Sequence, residues 1–215
     1  MSKIQLKVTE LKKIFNNRLV FNQLNFELTS GDKFVITGKN GSGKSTLIKI
    51  LAGVLTETSG KADYFLDNKK IDRENFYQIV GLVSPYLVLY DEFTAYENLS
   101  LFSKIRGLKI SEGEINEILK RVGLYERRND LVRTYSSGMK QRMKYASAIL
   151  HNPLVLLLDE PTSNLDLEGK SFVDNLVFNF REDGIVIVAT NETQDFKYGE
   201  KIINLDDYKN TNKKL

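Results

Sequence analysis

The chain has 215 residues, 41% hydrophobic and 27% charged, which is enough apolar material for one core of ordinary size and argues against a disordered segment. Its 31 basic and 28 acidic residues leave a net charge of +3 spread along the sequence, a balance that predicts no nucleic-acid partner. The lack of cysteine excludes disulfides, thiol catalysis and zinc-thiolate sites, and agrees with a reducing compartment.

Met1 to Val8 alternates polar and apolar residues and has no signal-peptide stretch, so export by that route is not expected. Gly31-Asp32 marks a turn, Lys33 to Thr37 reads as a strand, and Ser45 to Ala52 reads as a helix closed by Gly53. Between strand and helix, Gly38-Lys39-Asn40-Gly41-Ser42-Gly43-Lys44-Ser45 fits the phosphate-loop pattern G-x-x-x-x-G-K-[ST]. The glycines let the backbone curl so that successive N–H groups face phosphates, and the start of the helix adds its partial positive charge. The expected nucleotide contacts are Gly38, Asn40, Gly41, Ser42, Gly43, Lys44, Ser45 and Thr46, with Lys44 reaching the β- and γ-phosphates and Ser45 ligating Mg²⁺.

From about Pro85 to Leu150 the pattern becomes helical. Ser111 with Glu114 forms a capping box, and Ile115, Ile118, Leu119 and Val122 make one apolar stripe stopped by Gly123. The longest apolar runs, Leu154 to Leu158 and Ile185 to Ala189, are strand-sized, far short of the roughly 20 residues that cross a bilayer, and of the kind buried in parallel sheets. A helix between them shows Phe172, Leu176 and Phe180 with Val173 and Val177, and Gly184 ends it. The first run leads into Asp159-Glu160, two carboxylates at the carboxyl end of a buried strand. Asp159 is expected to complete the Mg²⁺ shell, and Glu160 to polarise the attacking water as general base. Asp207 to Leu215 reads as a frayed polar tail.

Further segments resemble the ATP-binding subunits of ABC transporters over nearly the whole chain, from Leu6 to Leu205. Tyr135-Ser136-Ser137-Gly138-Met139-Lys140-Gln141-Arg142 looks like a variant of the family signature LSGGQ-x-QR, and Ser163-Asn164-Leu165-Asp166 resembles its D-loop. The resemblance implies that Ser136 and Gly138 meet the γ-phosphate bound by an opposing copy, so that two copies complete each ATP site. It also implies that Asp166 lies at the seam between them. Phe15 stands where the family places an aromatic that stacks on adenine, although an aromatic there serves equally as core packing.

Two family positions differ. Within Val80-Gly81-Leu82-Val83-Ser84-Pro85, Pro85 replaces a glutamine that relays motion, and Ser84 offers an oxygen in its place. Asn191, after Thr190, replaces the switch histidine; its amide can donate to a γ-phosphate but cannot carry a proton, which implies slow hydrolysis. The one histidine, His151, reads as a helix-end residue.

The expected fold is α/β, a P-loop NTPase core with a mainly parallel sheet (residues 1–84 and 151–206), an N-terminal antiparallel β part, a helical insertion (85–150) and a tail (207–215). The resemblance implies a cytoplasmic ATPase using ATP and Mg²⁺. It would be peripheral on the membrane through separate membrane-spanning subunits, paired with a second cassette, and exporter-like. The other readings are a soluble ABC ATPase acting on ribosomes or DNA, and a regulatory module that closes on ATP but hardly turns over.

Overall fold

A computed structural model describes residues 3–163 and 165–209; Met1, Ser2, Asn164 and residues 210–215 lie outside the described residues. Four strands of the N-terminal part, β1 (Ile4–Phe15), β2 (Arg18–Thr29), β4 (Ser59–Leu66) and β5 (Lys69–Ile71), form an antiparallel sheet in the order β2-β1-β4-β5. Asn16 and Asn17, both at positive φ (43° and 65°), make the two-residue connection that matches the twist of the β1–β2 hairpin. The hairpin end therefore fixes where Phe15 is presented.

The second sheet is parallel, in the order β6-β7-β8-β3-β9, from β3 (Lys33–Thr37), β6 (Val80–Val83), β7 (Val155–Asp159), β8 (Ile185–Ala189) and β9 (Lys201–Asn204). Because side chains alternate across a strand, the continuous apolar runs feed two cores at once. Val35, Leu156, Leu158, Val186 and Val188 face a cluster that includes α5 (Ser137–Ile149) and α6 (Leu167–Phe178). Phe34, Ile36, Val155, Leu157, Ile185 and Ile187 face the other side, against α1 (Lys44–Leu51) and the antiparallel sheet. Burying each such side chain contributes about 1.5–3 kcal/mol.

After the short α2 (Phe76–Ile79) and β6 come α3 (Ala95–Ile105), α4 (Glu112–Arg121) and α5. Thr94 with Glu97 caps α3, Ser111 with Glu114 caps α4, and the Ser136 hydroxyl accepts from the Met139 amide at the start of α5. The stripe expected on α4 is buried at Ile115, Ile118, Leu119 and Val122. No helix among the described residues is long and apolar enough to cross a membrane.

Several boundaries differ from the sequence expectation. Strand β7 starts at Val155 and takes in Asp159, since the Leu154 amide already bonds the Ile79 carbonyl before the β6–β7 ladder begins. Helix α6 stops at Phe178, so Phe180 packs from the following connection instead of from the helical stripe. Residues Leu205–Tyr208 form a 3-10 turn, and Asp206 accepts from the Lys39 amide at 2.9 Å, which ties the start of the expected tail to the phosphate loop.

His151 follows the end of α5. Its Nε2 donates to the Val80 carbonyl at 3.1 Å, Arg106 Nη1 lies 3.4 Å away, and its Nδ1 is buried without a partner among the described residues. Burial, and then the Arg106 charge, push its pKa down from 6.5 to about 4. The unfolded chain therefore takes up a proton that the folded one refuses as pH falls below about 6.5, and stability is lost in that window. We expect denaturant unfolding at pH 5.5 to show roughly 1 kcal/mol less stability than at pH 7.5, and His151→Gln to flatten that difference.

Candidate functional site: a phosphate-binding cleft

All five strands of the second sheet run parallel, so the loops after β3, β7 and β8 leave the same end, with β8 between the other two. This brings the phosphate loop, the acidic pair and Asn191 together around a cleft of about 600 Å³, lined by Phe15, Arg18, Val20, residues 40–46, Pro85, Tyr86 and Glu160. Lys44 Nζ donates to the Gly38 carbonyl at 2.9 Å and lies 3.3 Å from Glu160 Oε1, so the loop's cation is held across the cleft beside the expected general base. Glu160 itself sits at φ 49°, an unfavourable conformation for a non-glycine residue, with its amide bonded to the Ala189 carbonyl. Asn191 Nδ2 donates to Asn40 Oδ1 at 3.0 Å, joining the two loops across the mouth.

Ser45 Oγ donates to Asp159 Oδ1 at 3.0 Å, while Asp159 Oδ2 is buried and has no hydrogen-bond partner among the described residues. Asp159 is only 1% exposed, and burial pushes its carboxyl above the usual carboxylate range, with the Ser45 bond pulling it back. An orphaned carboxylate oxygen next to a hydroxyl fits a hard divalent cation that brings phosphate and water oxygens of its own. Among the described residues no group of three or more acidic, histidine or cysteine side chains is placed to hold a metal ion. The Ser42 hydroxyl, buried in the same loop and unpartnered among the described residues, would be a further donor for a phosphate.

Phe15 is 43% exposed and lines the cleft, so core packing does not account for it; Lys13 Nζ lies 4.5 Å from its ring centroid. Its open face suits adenine. Pro85 and Tyr86 line the cleft, while Ser84, whose hydroxyl is the oxygen offered in place of the missing glutamine, is buried, accepts from the Tyr86 amide at 3.4 Å and does not line the cleft. Ser136, Gly138 and Asp166 are not brought to this cleft. Ser136 caps α5, and Asp166 caps α6 by accepting from the Gly169 amide at 2.8 Å. Within one copy the start of α5 does not line the cleft of the phosphate loop, although Ser137 and Glu160 border one neighbouring hollow.

The sequence reading passed over Arg18, Val20 and Tyr86 as cleft walls, and Asp195 with Thr162 beneath the site. Only the fold brings these residues to it.

What the cleft supplies is recognition and positioning. With a nucleotide in the cleft, backbone amides and Lys44 would bind the polyphosphate, Phe15 would take the base, Glu160 would accept a proton from water, and Asn191 would donate to developing charge. Mg²⁺ held by Ser45 and Asp159 would offset charge on the phosphate oxygens.

Residues 21–163 match the model of the ABC transporter family. The chain is 32% identical over 190 residues to the linearmycin resistance ATP-binding protein LnrL of Bacillus subtilis (strain 168), covering 86% of this chain and 60% of that protein. It is also 32% identical to the lantibiotic transport ATP-binding protein SrtF of Streptococcus pyogenes, covering 86% of this chain and 79% of that protein. Among solved structures, the ATP-binding cassette MJ0796, a dimer in a post-hydrolysis state bound to ADP and phosphate, superposes with a TM-score of 0.79 at 27% identity over 93% of both chains. A bacterial Atm1-family ABC exporter with ATP bound shares the fold, with a TM-score of 0.80 at 20% identity over 95% of this chain and 37% of that one. On the phosphate loop, the acidic pair and these matches, the chain belongs to the ABC transporter family.

Proposed function

We propose that this chain binds ATP and Mg²⁺ in the cleft of one copy, closes against the signature helix of a second, and hydrolyses the ATP to drive transport through separate membrane-spanning subunits. The observation that carries the reading is that the phosphate cleft of one copy is lined by none of Ser136, Ser137 and Gly138, so that the start of their helix is left as an anion site that a second copy's nucleotide would fill. The dimeric, ADP- and phosphate-bound cassette at 27% identity supports the pairing. Relatives named for linearmycin resistance, lantibiotic transport and bacitracin transport support outward movement of such compounds. The location that follows is the cytoplasmic face of the membrane, through the partner subunits.

The test is purification of the tagged chain from gently solubilised native membranes in the presence of ATP. A polytopic membrane protein recovered in stoichiometric amount is the expected result; recovery alone, or with ribosomes or DNA, overturns the transport role. Asn191→Ala is expected to lower turnover severalfold and Asn191→His to be tolerated, read as phosphate release at saturating ATP. Equal rates for Asn191→Ala and the unaltered chain would remove Asn191 from the mechanism.

A further inference from the structure

Asp195 is a buried acid that no step above uses. It is 1% exposed and lies in the 3-10 segment Thr193–Tyr198 that follows β8. Its carboxylate accepts from Thr162 Oγ1 at 2.8 Å on both oxygens and from Thr190 Oγ1 at 2.8 Å. Thr162 is two residues past Glu160, and Thr190 immediately precedes Asn191. One carboxylate therefore grips the two loops that carry the expected base and the expected γ-phosphate donor.

We infer that Asp195 is the positioning residue of the hydrolytic site, clamping the Glu160 loop and the Asn191 loop in one fixed relation through Thr162 and Thr190. The inference rests on the ATPase reading above. Its physical basis is that a carboxylate accepting charge-assisted bonds in a dry setting holds its partners more tightly than neutral pairs do. Burial leaves the Asp195 carboxyl above its ordinary value, with the Thr190 and Thr162 hydroxyls pulling it part of the way back. The Thr190 arm reaches the cleft directly. The Thr190 amide bonds the Ile36 carbonyl, the Glu192 amide donates to the Thr190 hydroxyl at 3.0 Å, and Asn191 between them donates to Asn40 of the phosphate loop. Loop positions set this way affect the approach of water and donor to the γ-phosphate more than the grip of the phosphate loop on ATP.

Four variants test it: Asp195→Asn, Thr190→Val, Thr190→Ser and Thr190→Val combined with Asn191→Ala. We expect Asp195→Asn to lower kcat about tenfold with the KM for ATP changed less than about threefold, and Thr190→Val to lower kcat severalfold. Thr190→Ser, which keeps the hydroxyl, restores it. The double variant is expected to be no slower than Asn191→Ala alone, because both changes remove the same contribution. Independently of turnover, hydrogen exchange at residues 190–192 of the nucleotide-free protein should quicken in Thr190→Val and not in Thr190→Ser. Multiplying losses in the double variant, a raised KM with kcat kept, or unchanged exchange overturns the clamp, and the Thr190 pair decides the matter even if Asp195→Asn does not fold. A chain that binds no ATP or releases no phosphate sinks the ATPase reading instead, and the exchange comparison still judges the clamp.

Discussion

Replacing Glu160 with glutamine lowers phosphate release at saturating ATP at least ~100-fold while ATP binding survives, since a lost general base is worth 10² or more. That loss corresponds to about 2.7 kcal/mol of barrier. Glutamine keeps the shape of a side chain held at φ 49° and 3.3 Å from Lys44, but it cannot accept a proton from water. It also releases Lys44 from an ion pair that competes with the phosphates, so ATP should be held at least as tightly as by the unaltered chain. Turnover and equilibrium nucleotide binding, measured on the same preparation, separate the possibilities. Unchanged turnover removes Glu160 as base, and joint loss of turnover and binding makes it a structural partner of Lys44.

Gly43→Ala has the second large effect, on binding itself. Gly43 precedes α1 at φ 110° and ψ 9°, and a Cβ there would lie 2.4 Å from Val20 Cγ1 and 3.4 Å from Phe21 Cδ1. A non-glycine residue in a left-handed conformation costs roughly 1–2 kcal/mol, and here the contact with β2 adds to it. The loop must shift, which turns its amides away from the phosphates. We expect ATP affinity to fall more than about tenfold, with Tm lower by about 2–4 °C for each kcal/mol lost. Gly41→Ala is the control: φ is again positive at 76°, but nothing lies within 4 Å of the added carbon, so its effect isolates backbone strain from collision. Equal affinity losses in the two variants would mean that Val20 does not shape the loop.

The features written as short local patterns were legible in the sequence. The phosphate loop, the acidic pair, the apolar strand from Ile185 to Ala189 and the Ser111–Glu114 cap each lie within a few neighbouring residues whose chemistry requires their spacing. What was not legible depends on residues far apart in sequence. Asp195 reads as one more polar residue in a loop until the fold sets it against Thr162, 33 positions earlier. The Asn40–Asn191 bond spans 151 positions, and no periodicity announces it. The end of α6 was read too late because Phe180 continues the apolar stripe, although it packs from outside the helix. Phe15 was ambiguous in the sequence because an aromatic at a hairpin end can face inward or outward, and only the fold shows it half-exposed at the cleft.

Tyr145 lies in the middle of the signature helix, fully buried, and its hydroxyl donates to the Pro161 carbonyl at 2.8 Å, one residue past Glu160. The helix whose tip would sense a neighbour's nucleotide is therefore riveted, at mid-length, to its own chain's catalytic turn. In a pair of such subunits, occupancy of one site would reach the Glu160 turn of the other through this helix and the Tyr145–Pro161 bond. The two sites of a pair would consequently fire as a coupled couple, with a sigmoidal dependence of rate on ATP, and Tyr145→Phe would bring that curve back toward a hyperbola.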